Sequence, residues 1–119
     1  MRVIIIEDEL LIARATKMQL ESNGFEILGM GRNEESFWEL IEFNPDAILM
    51  DISLKDGENG VEIIKKYRAR GYQTSVIFTT GNSRELTRKE IANLEHACFL
   101  SKPVVYDDLF QRIRDCCAR

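Results

Sequence analysis

Histidine is nearly missing from this chain. His96 is the only one, which excludes sites built from several histidines. Cysteine is scarce and odd in number. Cys98, Cys116 and Cys117 show no C-x-x-C spacing, so they read as reduced thiols of a cytosolic protein rather than as a disulfide framework or a zinc site. No apolar run approaches the length of a membrane span, and the N-terminus reads as a strand, not a signal peptide. An excess of positive charge is also lacking. The net charge is −4, the wrong sign for direct contact with nucleic acid. No repeat, low-complexity tract or linker interrupts the 119 residues, which suits a single domain, 1–119, around one core.

What is present is an alternation of short apolar runs with amphipathic stretches. Arg2–Ile6, Phe25–Met30, Ala47–Met50, Ser75–Thr79 and Ala97–Leu100 read as strands. The first, third and fourth are continuously apolar or nearly so, as expected for strands covered on both faces. Between and after them, helices are expected over roughly 9–22, from Asn33 to the break at Asn44-Pro45, 60–70, 84–95 and 106–117. Helix one offers two apolar stripes, Leu11/Ala15/Met18 and Ile12/Thr16/Leu20. Asn33 is an N-cap with Glu34 and Glu35 in the first turn, Asn82 or Ser83 caps the fourth helix, and Gly24 suits the left-handed position that ends helix one. His96 reads as a helix-end residue of the same kind. The fourth helix has a thin apolar stripe, Leu86, Ile91 and Leu94. Five βα units predict an α/β three-layer sandwich with a parallel sheet. Right-handed crossovers leave the flavodoxin-like order 2-1-3-4-5 as the candidate.

The strand ends carry the chemistry. Asp51 closes Ala47-Ile48-Leu49-Met50. A carboxylate there is costly in the core but tolerated at the C-terminal edge of the sheet, where open α/β folds place their ligand crevice. Strand one runs into Glu7-Asp8, strand four into Thr80, and strand five into Ser101-Lys102-Pro103. Asp51 to Thr80 and Thr80 to Lys102 each span about one βα unit, and Asp8 to Asp51 spans two, because strand two goes to the edge. Three carboxylates, a hydroxyl and an ammonium on one edge suit a divalent metal and a phosphoryl group. Taken singly, each group has a plainer reading: Glu7-Asp8 as a helix cap, Thr80 as a strand residue, Lys102 as a surface lysine.

Taken together, Glu7-Asp8, Asp51, Thr80 and Lys102-Pro103 closely resemble the receiver domain of two-component response regulators, from the first strand to the fifth helix. The resemblance implies a phosphoacceptor at Asp51, charged from the phosphohistidine of a sensor histidine kinase or histidine phosphotransfer protein in a phosphorelay. It implies Mg²⁺ held by Asp8, Asp51 and the Ser53 carbonyl, with Glu7 acting through water. Lys102 and Thr80 would contact the phosphoryl oxygens, and a cis Lys102-Pro103 bond is common in the family. Thr80 and Phe99 would then switch a face formed by the fourth helix, strand five and the fifth helix. That face would bind a downstream effector or a second copy of the domain. The domain would be a signalling module rather than a turnover enzyme, catalysing only its own phosphorylation and dephosphorylation. Three departures stand out. Glu7 replaces the commoner aspartate, Phe99 lacks a phenol hydroxyl, and the loop after Asp51 is one residue longer than usual before Gly60, with Lys55 where proline is common. Ser53 and Asn82 sit at positions that tune phosphoryl lifetime in the family. Competing readings are a Mg²⁺-dependent phosphohydrolase of the haloacid dehalogenase type, which would need Glu7 and Glu9 as its acid pair, a flavin binder, which would need a hydroxyl-rich first loop, and a receiver-like module acting without phosphorylation.

Overall fold

The computed structural model describes residues 1–81 and 94–117. Five parallel strands, β1 (Arg2–Ile6), β2 (Glu26–Gly31), β3 (Ala47–Asp51), β4 (Ser75–Thr80) and β5 (Ala97–Ser101), form one sheet in the order 2-1-3-4-5. Helices α1 (Leu10–Ser22), α2 (Glu34–Leu40) and α3 (Gly60–Ala69) and a C-terminal helix (Tyr106–Cys117) cover it. The fold class and strand order are those expected from the sequence. The expected caps of the fourth helix, Asn82 and Ser83, and most of that helix lie outside the described residues. Leu94–His96 form the turn that leads into β5.

Alternation along the strands divides the core into two. Ile4, Ile6, Ile48, Met50, Val76 and Phe78 face α2 and α3, where they meet Phe37, Ile41, Ile63, Ile64 and Tyr67. Val3, Ile5, Ala47, Leu49 and Ile77 face α1 and the C-terminal helix, meeting Ala13, Leu20, Leu109, Phe110 and Ile113. Successive side chains point to opposite faces, so an unbroken apolar run fills both.

Local signals act as expected at several ends. Asn33 and Ser36 form a reciprocal capping box on α2, satisfying donors that the first turn leaves unpaired. Gly24 takes φ +87°, which an L side chain rarely adopts. His96 is left-handed, at φ 56°. Of the two expected stripes of helix α1, the second supplies Thr16 and Leu20 to the core, and the first turns to solvent. The helix buries Ala13, Thr16 and Leu20, whereas Leu11 and Met18 are 80% and 67% exposed. Several adjacent rows of this helix are apolar, so periodicity alone did not select the row facing the sheet.

The cysteines need correction. Cys98 and Cys116 are joined in a disulfide, their Cα atoms 7.3 Å apart. Cys98 is on the β5 side that the C-terminal helix covers, and Cys116 lies at the end of that helix. Packing of helix on sheet brings together two residues whose spacing in the chain carries no signal.

Candidate functional site

The register of the sheet assembles the site. Ile6 pairs with Met50, and Asp51 pairs with Thr79. Glu7 and Asp51 thus leave neighbouring strands side by side. On the other flank, Thr80 pairs with Ser101, and the Lys102 amide donates to the Thr80 carbonyl at 2.8 Å. The Lys102-Pro103 bond is cis. Lys102 Nζ reaches between the carboxylates, 3.0 Å from Glu7 Oε2 and 3.2 Å from Asp51 Oδ2. The Ser53 amide lies 3.3 Å from Asp51 Oδ1.

Glu7, Asp8 and Asp51 each place an oxygen within 4.8 Å of the others. Glu7 and Asp51 are buried and Asp8 half-buried. Three carboxylates this close repel one another unless protons or cations intervene. Burial pushes the Asp51 carboxyl up to about 7, with the Glu7 charge adding to the rise and the Lys102 charge opposing it. Burial alone would lower Lys102, but its hydrogen bond to Glu7 and the charges of Asp51 and Glu7 outweigh that and hold it raised. The donor set is all oxygen and acidic, which fits a hard divalent cation such as Mg²⁺.

Thr80 is buried at the end of β4. Its neighbour Thr79 lines a cavity with Leu49, Val104 and Leu109, on the α1 side of the sheet. Phe78 and Phe99 are paired residues of β4 and β5, and both pack into the α2–α3 core. Thr80, two residues beyond Phe78, has the same parity, so Thr80 and Phe99 share that face. Ser53 is exposed and bridges to Asn59 across the loop.

Three contributions to the site were not read from the sequence. Lys102 is shared with Glu7 instead of being given to Asp51 alone. Gly60 opens α3 where an added Cβ would collide with the Asp51 carbonyl, so only glycine lets the helix start this close to the phosphoacceptor candidate; the glycine after a polar loop was the available signal. Arg32 and Lys55 line a cavity with Asp8. The alternative acid pair Glu7/Glu9 does not assemble. Glu9 is exposed and lends only its backbone amide, 3.4 Å from Glu7 Oε1.

Comparison with known proteins agrees with this fold. The transcriptional regulatory protein DltR of Streptococcus agalactiae is 28% identical over 114 residues, covering 96% of this chain and 50% of that protein. The virulence transcriptional regulatory protein PhoP of Salmonella typhimurium is 25% identical, with the same coverage of each. The chain therefore spans about half the length of these curated relatives. Among solved structures, the signal receiver domain of a modulated diguanylate cyclase from Desulfovibrio desulfuricans is 31% identical with a TM-score of 0.84, covering 98% of this chain and 93% of that one. A CheY-like receiver domain protein from Methanospirillum hungatei is 27% identical with a TM-score of 0.84 and the same coverage. The response regulator receiver domain profile matches residues 3–114, and the chain belongs to that family, the signalling domains of two-component systems.

Proposed function

We propose that residues 1–119 form one receiver domain that accepts a phosphoryl group on Asp51 and passes the event to a protein-binding face. The observation that carries this reading is the Asp51 carboxylate itself. It is buried at a strand end, bonded to Lys102 and the Ser53 amide, and within reach of Glu7 and Asp8.

Asp51 is the nucleophile. One of its oxygens attacks phosphorus, the P–N bond of a phosphohistidine breaks, and its electron pair returns to the donor imidazole. The product is an acyl phosphate on Asp51. The Lys102 ammonium, already between the two carboxylates, takes a phosphoryl oxygen as Asp51 loses its charge to the new bond. Thr80 donates its hydroxyl to another. Asp8, Asp51 and the Ser53 carbonyl would hold Mg²⁺, which when bound supplies charge neutralisation for the phosphoryl oxygens. Glu7 suits an indirect role, since one of its oxygens is committed to Lys102.

The donor would be a sensor histidine kinase or a histidine phosphotransfer protein. Leu10 and Leu11 of α1, 55% and 80% exposed, and Val105, 60% exposed, are apolar side chains open to a docking donor. On the output side, Thr80 moving toward the phosphoryl group frees space that Phe99 can fill. This would shift a pre-existing equilibrium of strand β5, the C-terminal helix and the segment before β5. An effector domain, an effector protein or a second copy would read that face. DltR and PhoP are transcriptional regulators, so any DNA contact would belong to a further domain rather than to this acidic one. Among the described residues no helix is long and apolar enough to cross a membrane, and we place the domain in the cytoplasm with its donor.

Incubation with acetyl phosphate and Mg²⁺, followed by intact mass measurement, tests the reading. One added phosphoryl group is expected, lost in Asp51→Asn and without Mg²⁺. Labelling of Asp51→Asn to the wild-type extent would overturn it. Thr80→Ala should keep the label while amide shift changes induced by beryllofluoride no longer reach Phe99.

A further inference from the structure

Two side chains at the mouth of the site have no part in the chemistry above. Arg32 follows β2, and Lys55 opens the short turn Lys55–Gly57. Together with Asp8, Asn33 and Asp56 they line one cavity of about 110 Å³. Asp8 belongs to the acidic cluster, so this cavity borders the candidate metal and phosphoryl site. Neither cation has a hydrogen bond or ion pair from its side chain to another described residue, unlike Lys66, Arg68 and Lys102. Their backbones are nevertheless anchored. The Arg32 amide donates to Ser36 Oγ at 3.0 Å. The Leu54 amide bonds the Glu58 carbonyl at 3.1 Å, and the Glu58 carboxylate accepts from the Glu34 amide at 2.8 Å. Two long cationic side chains thus stand on fixed ground around an opening.

Charge shows what they can do. A divalent cation offsets two of the carboxylates Glu7, Asp8 and Asp51, and Lys102 offsets the third. Arg32 and Lys55 against Asp56 then leave this cavity positive by one charge, with Glu35 and Glu39 set apart in the adjoining cavity that Asp8 and Arg32 also line. Without these two cations the first cavity would be negative. The incoming phosphoryl group is a dianion, and a rim of like charge would slow its encounter. We propose that Arg32 and Lys55 form an entry site for the phosphoryl dianion of the donor, whether an acyl phosphate or a phosphoramidate, drawing it to Asp51 without taking part in bond making. The inference rests on the phosphoacceptor reading of Asp51. It also gives a role to Lys55, the departure from the usual family pattern noted in the sequence.

The test is the second-order rate of Asp51 phosphorylation by acetyl phosphate and by phosphoramidate at saturating Mg²⁺, at low and at high ionic strength. The proteins are wild type, Arg32→Gln, Lys55→Gln, the double variant, and Arg112→Gln as a charge-matched control on the C-terminal helix. Each single variant should slow transfer about two- to threefold at low ionic strength and the double variant about fivefold to tenfold. The gap should close as salt screens the charges, and the control should match wild type. Calorimetric Mg²⁺ affinity should tighten in the same variants, because each loses a positive charge beside the carboxylates. Damage to the loop would instead weaken Mg²⁺ binding and transfer together, and that outcome would overturn the inference. So would wild-type rates and salt dependence in the double variant. A wild-type protein left unlabelled by both donors would overturn the phosphoacceptor reading itself, and this inference with it.

Discussion

The two faces of the sheet are filled differently. Against α2 and α3 the core is aromatic. The Phe37 ring lies 5.1 Å from Trp38 and 5.3 Å from Tyr67, and Tyr67 stacks on Tyr72 at 4.5 Å. Around them, the Trp38 indole donates to Glu34 at 3.0 Å, Lys66 pairs with Glu34 at 3.1 Å, and Arg70 lies 4.0 Å over the Trp38 ring. Against α1 and the C-terminal helix, the buried residues of α1 include Ala13 and Thr16. A cavity of about 470 Å³ remains there, lined by Ile5, Ile12, Thr16, Thr79, Val104 and Leu109 among others and reaching Glu7 and Lys102. Both faces receive β-branched and leucine side chains from the same strands. The difference lies in the helices: α2 and α3 bring a connected cluster of rings to one side, while on the other the C-terminal helix supplies Phe110 against Phe25 but α1 buries the small side chains Ala13 and Thr16. The full side braces the sheet, while the looser side leaves room next to the groups proposed to handle phosphate.

Large-to-small substitutions should break this comparison or establish it. Phe37→Ala, on the full side, should cost about 4 kcal/mol in urea unfolding. Leu109→Ala, beside the existing cavity, should cost about 2.5 kcal/mol, near the low end for leucine, since it already lacks contacts on one side. Equal losses would show that the two faces are packed alike.

Next in size is the strain concentrated where the looser face meets the site. The Asp51 carboxyl titrates at about 7 in the fold against 3.8 without it. The folded state therefore holds the proton more tightly between these values, and this group's contribution to stability falls as pH rises through that window. Asp51→Asn should accordingly stabilise the metal-free protein at pH 8 by about 2–4 kcal/mol and have little effect near pH 4, as read from thermal melts at both pH values. Mg²⁺ should counter the same penalty in wild type, with affinity rising about tenfold per pH unit below 7 as one proton is displaced.

A smaller effect should differ in sign between the faces. Val104→Leu extends into the cavity and should add about 0.5–1 kcal/mol. Val61→Leu enlarges a fully buried residue of the full face and should cost about 1–3 kcal/mol. An effect of similar size is Trp38→Phe, at about 1 kcal/mol from the lost indole bond. That bond comes first among the interactions that lower the Glu34 pKa, followed by those with Lys66 and Arg70. A depressed carboxyl stabilises the fold above its unfolded pKa and loses that contribution as pH falls through the folded value, so the Trp38→Phe cost should fade in acid.

Much of this arrangement is legible in the chain because it depends on local rules. Continuous apolar runs mark strands buried on both faces, and Asn33, Gly24 and His96 behave as their side chains require. The polar residues after strands one, three, four and five had to share one edge once the sheet was parallel, so Glu7, Asp8, Asp51, Thr80 and Lys102 could be named together. The sharing of Lys102 between Glu7 and Asp51 was not legible. It depends on side-chain reach across β3, on a scale finer than strand register. The rows of α1 were equally ambiguous, because Leu11, Ile12, Ala15 and Met18 satisfy several helical stripes at once.

By itself the sequence determined the alternation of elements, the parallel sheet and the carboxylate, hydroxyl and ammonium groups at its C-terminal edge, since periodicity and turn chemistry act over a few residues. Only the tertiary structure decided which row of α1 is buried, that Cys98 meets Cys116, that Gly60 must lack a Cβ beside Asp51, and that Arg32 and Lys55 flank Asp8. Each of these depends on distances between elements far apart in the chain, and those distances are set by how the helices pack on the sheet.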